Sequence, residues 1–475
     1  MTSINSDFMS QLALRSLGNS SNMMTQAMER LSTGKRVNSA ADDAAGLGIA
    51  TKLKAQVNSL NAASRNATDA LALIGTIDGA LEESSEILLR MRELAVQSAS
   101  DTNTGTDRSF IQDEINQLNN ELNRISSSTE FNSVKLLDGT YNNKQIQIGT
   151  SANQVFNIGV TSTDAATLGA YQMESLAEHN ATATADAAAA VTAATALINA
   201  AGDYTVKGSF GSTTVNIAAG DDAKTVAQSF NLAAGTTGIT AAAITKAKIT
   251  AVSAETYSFT LKGKSDTAST VNATVTSATN LTALKDAINS VSGATGITAA
   301  LTEDLSGINL VQQDGFDIVV GDVTSSGSGT MTMGAADKNG DAVSQAAVAL
   351  GGATGTDSQV IIGQISLSSH KAFTVTSGNA ANHFATDTAA QTSTLQTMGA
   401  VDISSQSGAT NALSVIDGAI AMVSEIRSEM GAAENRLTST VDNLSNVSVN
   451  TQRSLTAVED ANFASETSAL TKAQI

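Results

Sequence analysis

The sequence predicts a chain that is mainly α-helical at its termini, as a long coiled-coil-like bundle with a β-hairpin, around a central α+β, β-rich insertion. Three observations carry this. Seven-residue apolar series occupy both ends of the 475 residues. All eleven arginines lie at or before Arg124 or at or after Arg427. Between them the composition turns to Ala, Thr, Ser and Gly, with alternating apolar positions and an internal repeat. Such a shift marks a boundary between building plans.

Helix is expected first in pieces. Met24, Met28 and Leu31 follow a four-then-three spacing, and Gly34 interrupts. Asn38, Ser39 and Asp42 offer capping side chains for a restart near Asp43, as such residues accept bonds from the free N–H groups of a first turn. A strict seven-residue series then runs through Leu53, Leu60, Ala67, Ile74, Leu81 and Leu88. Ile111, Ile115, Leu118, Leu122 and Ile125 repeat the pattern by fours and threes. Near the other end Ile416, Val423, Met430, Leu437 and Leu444 are again seven apart. One continuous helix from Asn411 to Ile475 would be about 100 Å long. A single apolar stripe of that length cannot cover itself, so the three series must pack together or against other subunits. An ordinary intramolecular bundle core accounts for 43–128 and 411–450. Residues 1–33 and 451–475 have weaker apolar faces and suit ordering on assembly.

Between the bundle segments, Gln145-Ile-Gln-Ile148 and Val155 to Val160 alternate as a hairpin. AAGTTGITAA at 233–242 resembles VSGATGITAA at 291–300, an offset of 58. The segments upstream align similarly, so two units at about 203–262 and 263–322 each read strand, helix, turn and strand. Further strands are expected to about Ser405. The domain reading is therefore 1–42 with 451–475 as terminal helices, 43–170 with 406–450 as bundle and hairpin, and 171–405 as an outer region.

Composition excludes several chemistries. The net charge of −19 opposes nucleic acid, whose phosphates require clustered Lys and Arg. Cys, Pro and Trp are absent, so there is no disulfide, no thiol nucleophile and no slow prolyl isomerisation. The N-terminal stretch lacks the apolar core of a cleaved signal peptide, and the Ala-rich run from Ala187 to Ala201 is too short and weakly apolar to enter a membrane. A zinc peptidase site needs two His one turn apart with a Glu, whereas His179, His370 and His383 stand apart. Asp337 to Asp341 resembles the start of a calcium loop, but Val348 holds the position of its bidentate carboxylate. No metal, cofactor or catalytic residue is expected.

ERLSTGKRVNSAADDAAGLGIA at 29–50, MRELAVQSAS at 91–100, EFNSVKLLDG at 130–139 and AENRLTSTVDNLSNV at 433–447 resemble bacterial flagellin, in the family's order and at both ends of the chain. DAINS at 286–290 is similar to the short repeats of flagellins and hook-associated proteins. The resemblance implies a structural subunit that polymerises with itself into an extracellular filament for motility, its terminal helices lining a central channel and its insertion projecting outward. It implies export in the unfolded state by the flagellar type III apparatus. Implied partners are the filament cap, hook-associated junction proteins and an export chaperone; a junction protein or minor subunit is the alternative. Host innate immune receptors are implied too, through a helical face matching Arg90, Leu94 and Glu114, and a plant-epitope-like motif matches Asp42, Asp43 and Gly46. Family members continue with helix past the segment that ends here at Ile475, and the expectation is a longer native protein.

Overall fold

The chain begins with a helix that buries almost nothing and continues into helices that bury a great deal. The computed structural model describes residues 4–475 apart from 176–179, 182–201, 219, 266, 303–304, 338–346, 352–356, 379–383 and 385–388. The Ala187–Ala201 run, His179, His383 and all but Asp337 of the calcium-loop-like segment lie outside the described residues. The main helices are α1 (Ile4–Thr33), α2 (Ala44–Ser98), α3 (Gly105–Ser128), α4 (Ala223–Leu232), α5 (Thr282–Ser290), α6 (Gln406–Glu459) and α7 (Phe463–Gln474).

Local chemistry sets their limits. Gly34, at φ +71°, ends α1 in the left-handed conformation that glycine adopts without a Cβ penalty. Asp43 accepts from the Gly46 N–H at 2.7 Å and caps α2 where a restart is predicted. Thr104 and Asp107 exchange side-chain bonds with each other's backbone N–H, at 3.2 and 2.9 Å, as a capping box before α3. The C-terminal helix corrects the expectation of one continuous rod. It stops at Glu459 and restarts at Phe463. Asn462 is in extended conformation and its side chain accepts from the Ser465 N–H, giving the new first turn its cap.

Two units form. The first comprises Met1–Ala80, Thr129–Thr161 and Arg427–Ile475. In it, Leu60, Ala67, Ile74 and Ile77 of α2 are buried, as are Met430 and Leu437 of α6. The predicted hairpin is present as Lys144–Gln147 against Val155–Ile158, with Ile146 opposite Phe156. Its Gln147 carbonyl accepts from Asn66 Nδ2 at 2.9 Å, and the Arg436 guanidinium lies 4.9 Å from the Phe156 ring centre. A smaller hairpin, Glu130–Phe131 with Val134–Lys135, turns through Asn132 and Ser133 at positive φ.

The second unit comprises Leu81–Ser128 and Ser162–Ile426. Bundle residues 81–128 and 406–426 group with the outer sheets rather than with the rest of the predicted bundle. The physical reason is direct bonding. Gln172 Nε2 donates to Ser414 Oγ at 2.7 Å, Asn119 Nδ2 to the Met398 carbonyl at 3.1 Å, and Gly418 packs so close to Ala170 that a Cβ would overlap it.

Among the described residues the unit holds an eight-, a five- and a four-stranded sheet. Strand Thr240–Thr250 joins the two repeats: residues 240–244 pair with Gln364–Ser369, and residues 245–249 pair with Ile308–Gln312. Each repeat is a hairpin, a helix, one further helical turn ending at a left-handed glycine, and a strand. The hairpins are Gly202–Lys207 with Ser212–Ile217 and Thr256–Lys262 with Ser269–Thr274, so the second repeat starts inside the span expected for the first. The glycines, Gly238 and Gly296, have φ +74° and +69°. The offset of 58 holds side chain by side chain. Asn231 at the end of α4 exchanges bonds with both backbone groups of Ala241 at 2.8 Å, and Asn289 at the end of α5 does so with Ala299 at 2.8 and 2.9 Å.

Candidate assembly surface

Helix α1 carries its apolar side chains in the open. Every described residue from Phe8 to Asn19 is exposed, and large side chains are mostly bare, Phe8 at 63% and Leu17 at 68%. Leu12, Leu14, Met23 and Met28 add to the strip, and Ala27 alone among the described α1 residues is buried. In α7 no residue is buried, and Phe463 is 71% exposed. So many large apolar side chains left bare along two helices suit a contact with another molecule.

The two helices are held together at one end. Arg30 Nη1 bonds Glu466 Oε1 at 3.3 Å, and the Arg36 N–H donates to the Glu459 carbonyl at 2.7 Å. Arg36 Nη2 donates to the Val458 carbonyl at 2.9 Å, Ala461 N–H to the Gly34 carbonyl at 2.9 Å, and Lys35 pairs with Glu459. The turn ending α1 is thus bound to the break between α6 and α7. Because the start of α7 is pinned to the end of α1, the two helices pack antiparallel.

Asp42 organises the α1–α2 turn. It accepts from Gln26 Nε2 at 3.0 Å, from the Asn38 and Ser39 N–H groups at 3.2 and 2.9 Å, and from Ser39 Oγ at 3.1 Å. Those donors, Gln26 foremost, hold its carboxyl at about 2. Gly46 is close-packed by necessity: a Cβ there would lie 2.4 Å from Asp43 Oδ2. Asp42, Asp43 and Gly46 therefore share one turn, where they have structural work beside any recognition.

The other predicted residues are placed as follows. Leu60, Ile74, Leu81, Leu88, Ile111, Ile115, Leu122, Ile125, Ile416, Val423, Met430 and Leu437 are buried; Leu53, Leu118 and Leu444 are half-buried. Arg90 bonds Glu114 at 2.9 Å and Glu93 at 2.6 Å on an open surface. Leu94 corrects the picture of an apolar centre between two charges. It is 1% exposed, as enclosed as Leu88 and Met91 on the same helix, so only Arg90 and Glu114 of that set present a surface. Sequence reasoning missed Arg30, Lys35, Arg36, Glu459 and Glu466. Arginines confined to the chain ends were the available signal, but nothing local named their partners.

The second unit also holds a cavity. Its volume is about 580 Å³, and it is lined by Ala241, Ala243, Ser366, Ser368, Asn411 and Ser414, with His370 and Asp417 also on its wall. Among the described residues no cluster of three His, Asp or Glu could hold a metal.

Comparison with known proteins matches residues 4–142 to the bacterial flagellin N-terminal helical region and 413–475 to the bacterial flagellin C-terminal helical region. Along its whole length the chain is 34% identical to the B-type flagellin of Pseudomonas aeruginosa, covering 99% of this chain and 94% of that one. The chain belongs to the bacterial flagellin family. It is also 31% identical to a flagellin of Salmonella rubislaw, over 99% of this chain and 94% of the other, and 52% identical to a Clostridium tyrobutyricum flagellin over 32% of this chain and 42% of that one. The flagellin hook IN motif matches 258–314, the second of the two repeats. This flagellin is accordingly a structural subunit that polymerises into the flagellar filament, outside the cell. Flagellins are structural proteins, and the junction-protein alternative is not favoured.

Proposed function

We propose that this flagellin assembles through α1 and α7, which order fully against neighbouring subunits and line the filament channel. The carrying observation is the set of large apolar side chains from Phe8 to Met28, uncovered in the single chain. Burying each such side chain in a neighbour contributes about 1.5–3 kcal/mol. The remaining parts of α2, α3 and α6 with the hairpin form the next layer, and 171–405 projects outward. The chain has no catalytic role. It leaves the cell unfolded through the flagellar type III apparatus without a cleaved signal peptide, a reading supported by the absence of Cys and Pro. It meets an export chaperone on the way, and the cap and junction proteins at the filament's ends. Negative-stain microscopy tests the core of this. The full chain is expected to form long helical filaments when seeded, and a chain lacking residues 1–33 is expected to stay monomeric. Equal assembly by the shortened chain would overturn the role of α1.

The open Arg90–Glu114 pair favours a second reading, that a host innate receptor binds this face of the monomer. A charged pair beside Leu89, which is 55% exposed, has the polar and apolar character of an interface hot spot. Arg90→Ala with Glu114→Ala is expected to lower receptor signalling by monomer. Unchanged signalling rejects it.

A further inference from the structure

Of the twelve methionines, five fall within the first 28 residues. Their exposure is more uneven than their spacing. Met9, Met23 and Met28 on α1 are 64, 56 and 55% exposed. Outside α1 every methionine among the described residues is enclosed: Met91, Met173, Met331, Met333, Met398 and Met430 are buried, and Met422 is half-buried. Open thioethers are thus confined to the helix whose apolar surface awaits a partner. Met is adaptable and polarizable, which suits packing against a neighbour. The same exposure leaves the sulfur open to oxidants until that neighbour arrives.

We infer that Met9, Met23 and Met28 are a site of oxidative modification that blocks polymerisation of the free subunit and that the filament protects. The inference rests on the assembly role of α1 given above. The reaction is oxygen transfer from a hydroperoxide. The Sδ lone pair attacks one peroxide oxygen, the S–O bond forms as the O–O bond breaks, and a proton moves to the departing oxygen. The thioether is oxidised by two electrons to the sulfoxide, and hydrogen peroxide is reduced to water. A sulfoxide replaces an apolar atom with a strongly polar S=O group, incompatible with a buried helix contact. Enclosed methionines of the two units react slowly, so the folded units survive while α1 is changed.

The test treats full-length monomer with hydrogen peroxide, maps the gain of about 16 Da per sulfoxide by peptide mass spectrometry, and then seeds assembly. Expected are early oxidation at Met9, Met23 and Met28, unchanged circular dichroism, loss of sedimentable polymer, and recovery of assembly after methionine sulfoxide reductase. A chain with Met9→Leu, Met23→Leu and Met28→Leu keeps volume and apolarity without sulfur, and should assemble after the same treatment. Filaments treated after assembly should retain unoxidised sulfur at these positions. Normal polymerisation of the oxidised wild type would overturn the proposal, as would loss of assembly in the oxidised Leu variant. Should the Leu variant fail to assemble untreated, reductase recovery of the oxidised wild type decides by itself. Failure of the α1 reading is separate: it shows as normal assembly of the chain lacking residues 1–33, with no peroxide present.

Discussion

Asp317 is the residue at which the outer sheets meet pH. Its carboxyl accepts from the Gly363 N–H at 3.3 Å, and burial, with Asp222 nearby, pushes its pKa up to about 7. In the unfolded chain it titrates near the usual 3.8. Below that value it is protonated in both states and carries no penalty. As the pH rises from about 4 to about 7 only the unfolded chain ionises freely, so stability falls across that window and levels off above it. Asp317→Asn keeps the acceptor for Gly363 and removes the charge. It is expected to stabilise the outer region by at least about 1 kcal/mol at pH 8 and to change little at pH 4. Thermal unfolding at the two pH values checks this, and a pH-independent effect would reject it. Leu94 shows what the residue scale allows a reader of sequence to see. It follows Leu88 and Met91 at helical spacing, so its burial was legible, but the family resemblance drew attention to a surface.

At the scale of elements, the seven-residue series were readable because each is local: Leu81 and Leu88 declare a seam without knowledge of their partner. The internal repeat was readable for the same reason, since both copies keep the asparagine, the threonine and the glycine in order. The matched Asn231 and Asn289 locks each join a helix end to the following strand. Asn231→Ala and Asn289→Ala should each cost about 1–3 kcal/mol, because two backbone groups lose their partner. Similar losses in denaturant unfolding are expected for the two variants. A large effect at one and none at the other would show that the repeats are alike in shape only. The break between α6 and α7 was hidden. Asp460-Ala-Asn462 contains no proline or glycine, and the bonds that Gly34 and Arg36 make with the backbone beside the Asn462 cap come from far along the chain.

On the scale of the whole molecule, charge sets the conditions for assembly. A net charge of −19 makes subunits repel one another. Raising ionic strength from about 0.01 to about 0.15 M shortens the screening length from about 30 to about 8 Å. Seeded growth measured by light scattering should therefore accelerate over that range, and slower growth would show that attraction between opposite charges dominates the contact. Which bundle residues group with the outer sheets was not legible, because that division rests on bonds such as Gln172–Ser414 and Asn119–Met398, each between residues more than two hundred positions apart.

The clamp between the α1 turn and the α7 start fixes an order of events. Arg30 and Glu466 are 436 positions apart. Closing so long a loop in an open chain costs about 5 kcal/mol of entropy, more than a few ion pairs and hydrogen bonds near the surface return at about 1 kcal/mol each. The clamp therefore waits until the buried seams of α2 and α6, Leu60, Ile74, Met430 and Leu437 among them, have brought the two helices together. The first and last segments of the chain are then the final ones to fold. On the proposed assembly through α1 and α7, a subunit that folds in this order is expected to keep both tails pliable until its middle has taken shape.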